Sequence, residues 1–341
     1  MRVIKNFLFV SVVFSFAILT LTVVQAEAKA INLTYSTFFP PTHIQAKLAV
    51  EWGDEIEKRT HGKVKFSHFA GGALLKGPQI WDGVLKGISD VGMSVLAYTR
   101  GRFPSSETID LPMGYPSAIA ATQIYNDFYN KYKFKEFDDV EVMYLFAHGP
   151  GILHTQKPVH NLEDLKGLKI RSTGTSAAVT KALGAVPVSM PQGATYEALQ
   201  KGVVEATWVP VEALKGWKQG EVVKYTIECQ SVGYSQGFFV AMNKKKWKSL
   251  PEDVQKVIKE VSEEWILKTA KAWDQSDEGG REFCRSLGNE FIQLSDQESQ
   301  RWVEAVQPVF EDYIKAAEKK GLPGREYVDF IKSEVERHRG M

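Results

Sequence analysis

An alternation of strand, helix, strand, helix and strand between Leu168 and Pro210 constrains this chain more than any other stretch. Leu168-Lys169-Ile170 reads as a short buried strand. Arg171 follows it, and Ser172-Thr173-Gly174-Thr175 turns into a helical run over residues 176–183. Val186-Pro187-Val188-Ser189 is the next strand, residues 196–201 form a helix stopped by Gly202, and residues 203–210 form a third strand. Short strands alternating with helices call for a parallel sheet with right-handed crossovers, so the carboxyl ends of these strands share one edge. Ligands in such sheets sit beyond that edge. Arg171, Trp208 and Val209 arrive there, and a guanidinium beside the free N–H groups of a helix start suits an anion. The plainer alternative for Arg171 is a surface salt bridge of little energetic weight.

The chain before this stretch cycles in the same way. Residues 31–36 form a strand, and Phe38-Phe39-Pro40-Pro41-Thr42-His43 forms a loop enforced by its prolines. Thr42 is the expected cap of a helix over 44–59 that places Ile44, Leu48, Trp52 and Ile56 on one face. A strand at 64–69, a helix at 80–85 and a buried strand at 91–96 follow. The end of that last strand presents Tyr98 to the surface where Phe38 and His43 also arrive. A helix at 118–132 and a strand at 140–148 complete the first series.

Nothing regular survives Gly149-Pro150-Gly151, which marks a boundary and a hinge. A second crossing falls at 231–242, where Phe238-Phe239-Val240-Ala241-Met242 is a hydrophobic strand after Gly233 and Gly237. The expected division is a leader at 1–30, domain I at 31–148 plus 237–278, domain II at 149–236 plus 279–325, and a C-terminal helix at 326–341. Ser249-Leu250-Pro251-Glu252 reads as a capping box with proline in the first turn. The helix it opens shares Val254, Ile258, Val261 and Trp265 on one face and runs towards Arg285, with a weak point at Gly279-Gly280. Residues 297–319 and 327–338 read as two further helices.

The first thirty residues have the parts of a secretory signal: Arg2 and Lys5, an apolar run over 7–24, and small residues at Ala26, Ala28 and Ala30. Cleavage between Glu27 and Ile31 is expected, with an uncleaved anchor as the alternative; Ser11, Ser15, Thr20 and Thr22 dilute the run. The whole chain has a formal charge of +1, and losing Arg2 and Lys5 leaves about −1, which argues against nucleic acid as a partner. Cys229 and Cys284 are too few for a disulfide framework and lack zinc-site spacing. They are either one disulfide or two separate buried thiols. The motifs H-E-x-x-H, G-x-S-x-G, G-x-x-x-x-G-K-[ST] and G-x-G-x-x-G are missing. His148, His154 and His160 are separated by glycine and proline and read as unrelated polar residues. No metal and no cofactor are expected.

The order L-x-D-L-K-G-L-K-I-R, then A-L-G-A-x-P-V, then Y-E-A-L-Q-K-G-V-V-E-A over residues 162–206 resembles the solute-binding subunit of tripartite ATP-independent periplasmic (TRAP) transporters, the C4-dicarboxylate-binding family. The likeness extends to GDEIEKRTHGKVKFSHFAGGALLKGPQIWDGVLKGISDVGMS at 53–94 and FVAMNKKKWKSLPEDVQKVI at 239–258. It implies a two-domain α/β periplasmic binding protein, hinged in the venus-flytrap manner, with a long helix spanning both domains. It also implies a monomer that binds and does not catalyse, with a small organic anion and the membrane permease as partners.

The resemblance puts the family's carboxylate-binding arginine at Arg171, a ligand-packing residue at Gln192 and a near-ligand position at His43, which a helix cap explains equally. Gly151 stands where acidic-sugar binders carry a second arginine. Val209, preceded by Trp208, stands where they carry an asparagine. Phe38, Phe39, Tyr98, Trp208 and Tyr234 are then either core residues or pocket walls. The ligand implied is a monocarboxylate with an apolar or aromatic tail, ahead of a C4-dicarboxylate or a small sulfonate. The alternatives are a subunit presenting its ligand to a membrane histidine kinase, and a periplasmic enzyme acting on an organic acid.

Overall fold

The computed structural model describes residues 30–339, so the expected leader lies outside the described residues apart from its last position. The first lobe opens with β1 (Ile31–Thr37), α1 (Ile44–Arg59), β2 (Val64–Phe69), α2 (Ile80–Leu85), β3 (Val91–Val95), α3 (Ala118–Tyr132) and β4 (Val140–Ala147). The second lobe follows with β5 (Ile152–Thr155), β6 (Lys169–Ser172), α4 (Ser176–Ala182), β7 (Val186–Ser189), α5 (Thr195–Gln200), β8 (Ala206–Val209), α6 (Glu212–Gly216) and β9 (Tyr225–Glu228). The chain then returns as β10 (Gly237–Asn243), α7 (Lys244–Ser249), the 35-residue α8 (Glu252–Ser286), β11 (Glu290–Gln293), α9 (Asp296–Ala305), α10 (Gln307–Glu318) and α11 (Gly324–Arg339).

Each lobe is built on one sheet. The first has the order β2-β1-β3-β10-β4, with β1 parallel to β2 and β3, and β10 antiparallel to β3 and β4. The second has the order β11-β9-β5-β8-β6-β7. Here β6 runs parallel to β7 and β8, as the alternation predicts, while β5 is antiparallel to β8 and β9. Arg171 lies inside β6, opposite Val188 and Thr207, where the sequence suggests it follows the strand.

Helix α1 starts at His43, whose Nδ1 accepts the Gln45 amide at 3.1 Å, so His43 and not Thr42 is the cap. Its apolar face packs on α8 through two indoles: Trp52 donates to Ser262 Oγ at 3.2 Å and Trp265 donates to the Leu48 carbonyl at 2.9 Å. The expected capping box at Ser249 is not formed. Residues 244–249 coil into α7, so the Ser249 hydroxyl is used locally on the Lys246 carbonyl at 2.6 Å, and α8 starts at Pro251 without a side-chain cap. The single helix read over 297–319 divides at Val306. Pro308 in the first turn of α10 has no N–H to continue the ladder.

Helix α8 passes unbroken through Gly279-Gly280 and touches both lobes. Asp274 accepts the Ala118 and Ile119 amides at 2.6 and 3.1 Å, at the start of α3 in the first lobe. One turn on, Asp277 accepts the Glu212 amide at 2.7 Å, at the start of α6 in the second. Carboxylates suit the unsatisfied N–H groups of helix starts, so one helix ties down two others from opposite lobes. Two crossings between lobes run side by side: Gly151 and Tyr234 exchange backbone bonds of 2.7 and 3.3 Å. Cys229 and Cys284 are separate buried thiols.

Candidate ligand site between the lobes

A cavity of about 40 Å³ lies between the lobes. The first lobe supplies Phe38, Phe39, Val95, Tyr98 and Phe238, the second supplies Arg171, Gln192, Val209, Glu212 and Trp217, and α8 supplies Trp273. His148, Tyr234 and Gln236 line it from the crossings.

Arg171 is the cation of this cavity and is only 3% exposed. Parallel pairing of β6 with β7 and β8 sets its backbone. Its Nε donates to the Met190 carbonyl at 3.2 Å and its Nη1 to the Trp208 carbonyl at 3.4 Å, which leaves most of its five N–H donors free of backbone carbonyls. Burial pushes the guanidinium below its ordinary value, and the phenols of Tyr98 and Tyr234 push the other way. An arginine ionises so far above neutrality that the charge remains. Among the described residues no carboxylate pairs with it. A buried charge without a counter-ion is costly, and a bidentate carboxylate is the group that fits the fork.

The sequence-predicted residues fall into two groups. Phe38, Phe39, Tyr98, Arg171, Gln192, Val209 and Tyr234 share the cavity lining. The Tyr98 hydroxyl accepts the Gln192 amide at 2.9 Å, a bond between lobes. The Gln192 side chain is buried, and its Nε2 has no partner. Tyr234 donates to the Trp208 carbonyl at 3.0 Å. Phe38 and Phe39 stack with centroids 4.3 Å apart.

Trp208 and His43, expected from the sequence at the ligand, stand outside the cavity lining. Successive strand residues point to opposite faces, so Val209 at the cavity turns the Trp208 indole away. That residue contributes its carbonyl, and its ring stands edge-on to Tyr234 at 6.4 Å. His43 caps α1, with Nε2 2.7 Å from Glu212 Oε1 of the second lobe.

Sequence reasoning missed His148, Glu212, Trp217, Gln236, Phe238 and Trp273. His148 sits just past β4 with Nδ1 on the Gly149 carbonyl, and burial together with Arg171 pushes it down to about 4, so it is neutral. His154 belongs to the second sheet, between Thr226 Oγ1 at 3.0 Å and the Val209 carbonyl at 3.1 Å, and His160 is exposed. The three histidines do not converge. Among the described residues no group of three or more His, Cys, Asp or Glu side chains is placed to hold a metal ion.

Residues 35–316 match the family described as bacterial extracellular solute-binding protein, family 7. The C4-dicarboxylate-binding periplasmic protein DctP of Rhodobacter capsulatus is 26% identical, with 85% of this chain and 88% of that protein covered. A TRAP periplasmic solute-binding protein from Desulfovibrio salexigens superposes with a TM-score of 0.81 at 35% identity, over 91% of this chain and 97% of that one. A marine metagenome TRAP solute-binding protein specific for aromatic acid ligands, in complex with metahydroxyphenylacetate, gives a TM-score of 0.86 at 29% identity over 90% and 99%. Two lobes with a charged cleft between them, a helix bridging both, and a match that runs through nearly the whole described chain have one reading: this chain belongs to the bacterial extracellular solute-binding protein family 7.

Proposed function

We propose that the protein captures a small organic acid carrying one carboxylate and an aromatic or other apolar body, and delivers it in the periplasm to the permease of a TRAP transporter. The observation that carries this reading is the buried Arg171 guanidinium, held by two backbone carbonyls and lacking a carboxylate partner. The acid's head group takes the remaining N–H donors, with the unpartnered Gln192 Nε2 and the Tyr98 and Tyr234 hydroxyls close by. Phe38, Phe39, Val209, Trp217 and Trp273 take the body; walls of this kind suit an aryl ring better than a chain of hydroxyls. Trp208 and His43 support the site from behind. A small sulfonate presents similar oxygen geometry and is the second head group to test. The protein acts as a secreted monomer whose leader is removed, and it returns its ligand chemically unchanged.

A thermal-shift screen against organic acids tests this. Benzoate-like and phenylacetate-like acids are expected to raise the melting temperature more than succinate or a sugar acid does. Ligand at 100 times its Kd stabilises by about 2.7 kcal/mol. A panel in which no acid raises the melting temperature, or in which only polyhydroxylated acids do, removes the reading. Recovery of an altered compound by mass spectrometry removes the binding-only part.

A further inference from the structure

Glu212 is the carboxylate residue of the cavity lining, and no ion pair joins it to Arg171. It is 3% exposed, and Oε1 stands 2.7 Å from His43 Nε2. His43 Nδ1 accepts the Gln45 amide, and Nε2, although beside that oxygen, forms no hydrogen bond with it. Among the described residues no protein donor is hydrogen-bonded to Glu212 Oε2.

The two charged groups are set apart by an aromatic wall. Tyr98, beside Arg171, meets Phe38 at 5.3 Å between ring centroids; Phe38 stacks on Phe39 at 4.3 Å; and Phe39 stacks on His43 at 4.3 Å, which reaches Glu212. The cavity lining thus holds a cation and a carboxylate, joined by a run of ring contacts from Tyr98 to His43.

The geometry points to Glu212 as the residue that reads the far end of the ligand. It accepts a hydrogen bond from a ring hydroxyl and repels a second carboxylate, so that the site takes hydroxylated aryl monoacids and rejects dicarboxylates. This rests on the aryl monocarboxylate reading given above. Two carboxylates facing each other in a water-poor cleft repel strongly, whereas a hydroxyl placed there finds an acceptor that is already oriented. His43 stands beside the carboxylate from the opposite lobe.

Calorimetry with benzoate, 3- and 4-hydroxybenzoate, isophthalate and terephthalate separates the possibilities, on the parent and on Glu212→Gln. The parent is expected to bind its better hydroxybenzoate at least tenfold more tightly than its better dicarboxylate. In Glu212→Gln the dicarboxylate-to-benzoate affinity ratio is expected to rise at least tenfold, since the amide keeps the shape and drops the charge. If that ratio is the same in both proteins, or if the parent binds a dicarboxylate as tightly as benzoate, the inference is overturned while the aryl-acid reading stands. If no aryl acid binds the parent at all, both fall. The parent measurements alone decide the matter should the variant not fold.

Discussion

Arg171 shows what one residue's surroundings add to its sequence context. A guanidinium taken out of water next to two carbonyls and two phenols keeps its charge but lacks a counter-ion, a state that a carboxylate ligand relieves. Its neighbour His148 is held in the opposite state: burial first and then the Arg171 charge, against the opposing pull of the Gly149 carbonyl, leave it neutral with a value of about 4. The ordinary value in an unfolded chain is about 6.5. A folded value below the unfolded one gives stability that is fully present above about pH 6.5 and lost as pH falls towards 4. Urea titrations of the parent and His148→Gln at pH 7 and 4.5 should show the parent losing about 2–3 kcal/mol more than the variant over that interval. Equal losses would mean that His148 titrates normally. Residues whose backbone position brings them to the cavity were legible: Arg171 by its strand, Tyr98 and Phe38 by the loops that deliver them. Trp208 and His43 were not, because the side of a strand that faces a cleft, and the atom that caps a helix, depend on packing partners far along the chain.

Among the elements, α8 binds the lobes together, and its composition near residue 280 looks wrong for a long helix until its neighbour is considered. Two adjacent glycines weaken a helix by about 0.8–1.0 kcal/mol each relative to alanine. At Gly280, however, an added Cβ would lie 2.4 Å from the Val211 carbonyl oxygen and 2.8 Å from its carbon, and backbone cannot yield as a side chain can. At Gly279 the nearest atom is Lys215 Nζ at 3.6 Å, which can move aside. The close approach of α6 therefore outweighs propensity at one position and not at the other. Gly280→Ala should lower stability by about 1–3 kcal/mol, whereas Gly279→Ala should raise it by up to about 1 kcal/mol; thermal melts of the two variants make the comparison. A gain in both would show that α8 does not press on α6. The strands and most helices were readable from period and turn residues. The start of α8 was not, because a serine that reads as its cap ends the helix before it. The missed Trp217 and Trp273 reach the cavity from the end of α6 and from α8, whose faces only the assembled lobes define.

At the scale of the whole molecule, the cavity has walls from both lobes and lining side chains such as Phe39, Val209 and Arg171 that are almost fully buried, so the proposed binding function requires the lobes to part for a ligand to enter. We propose the glycine-bearing crossings at Gly149-Pro150-Gly151 and before Gly237 as the hinge, with Tyr98 to Gln192 and His43 to Glu212 as the contacts between lobes that opening would break. Small-angle scattering should show a radius of gyration that falls on saturation with the best acid from the screen, and an unchanged radius would speak against closure on the ligand. In the proposed function closure would dry the pair between Arg171 and the acid, which strengthens the attraction. Calorimetric titration of the parent and Arg171→Ala with that same acid tests the central claim most directly. Removing one partner of a buried hydrogen-bonded charge pair costs about 2–5 kcal/mol, so affinity should fall roughly 30-fold to several thousand-fold. The ligand-free melting temperature should change little. Binding by Arg171→Ala within threefold of the parent would contradict the account.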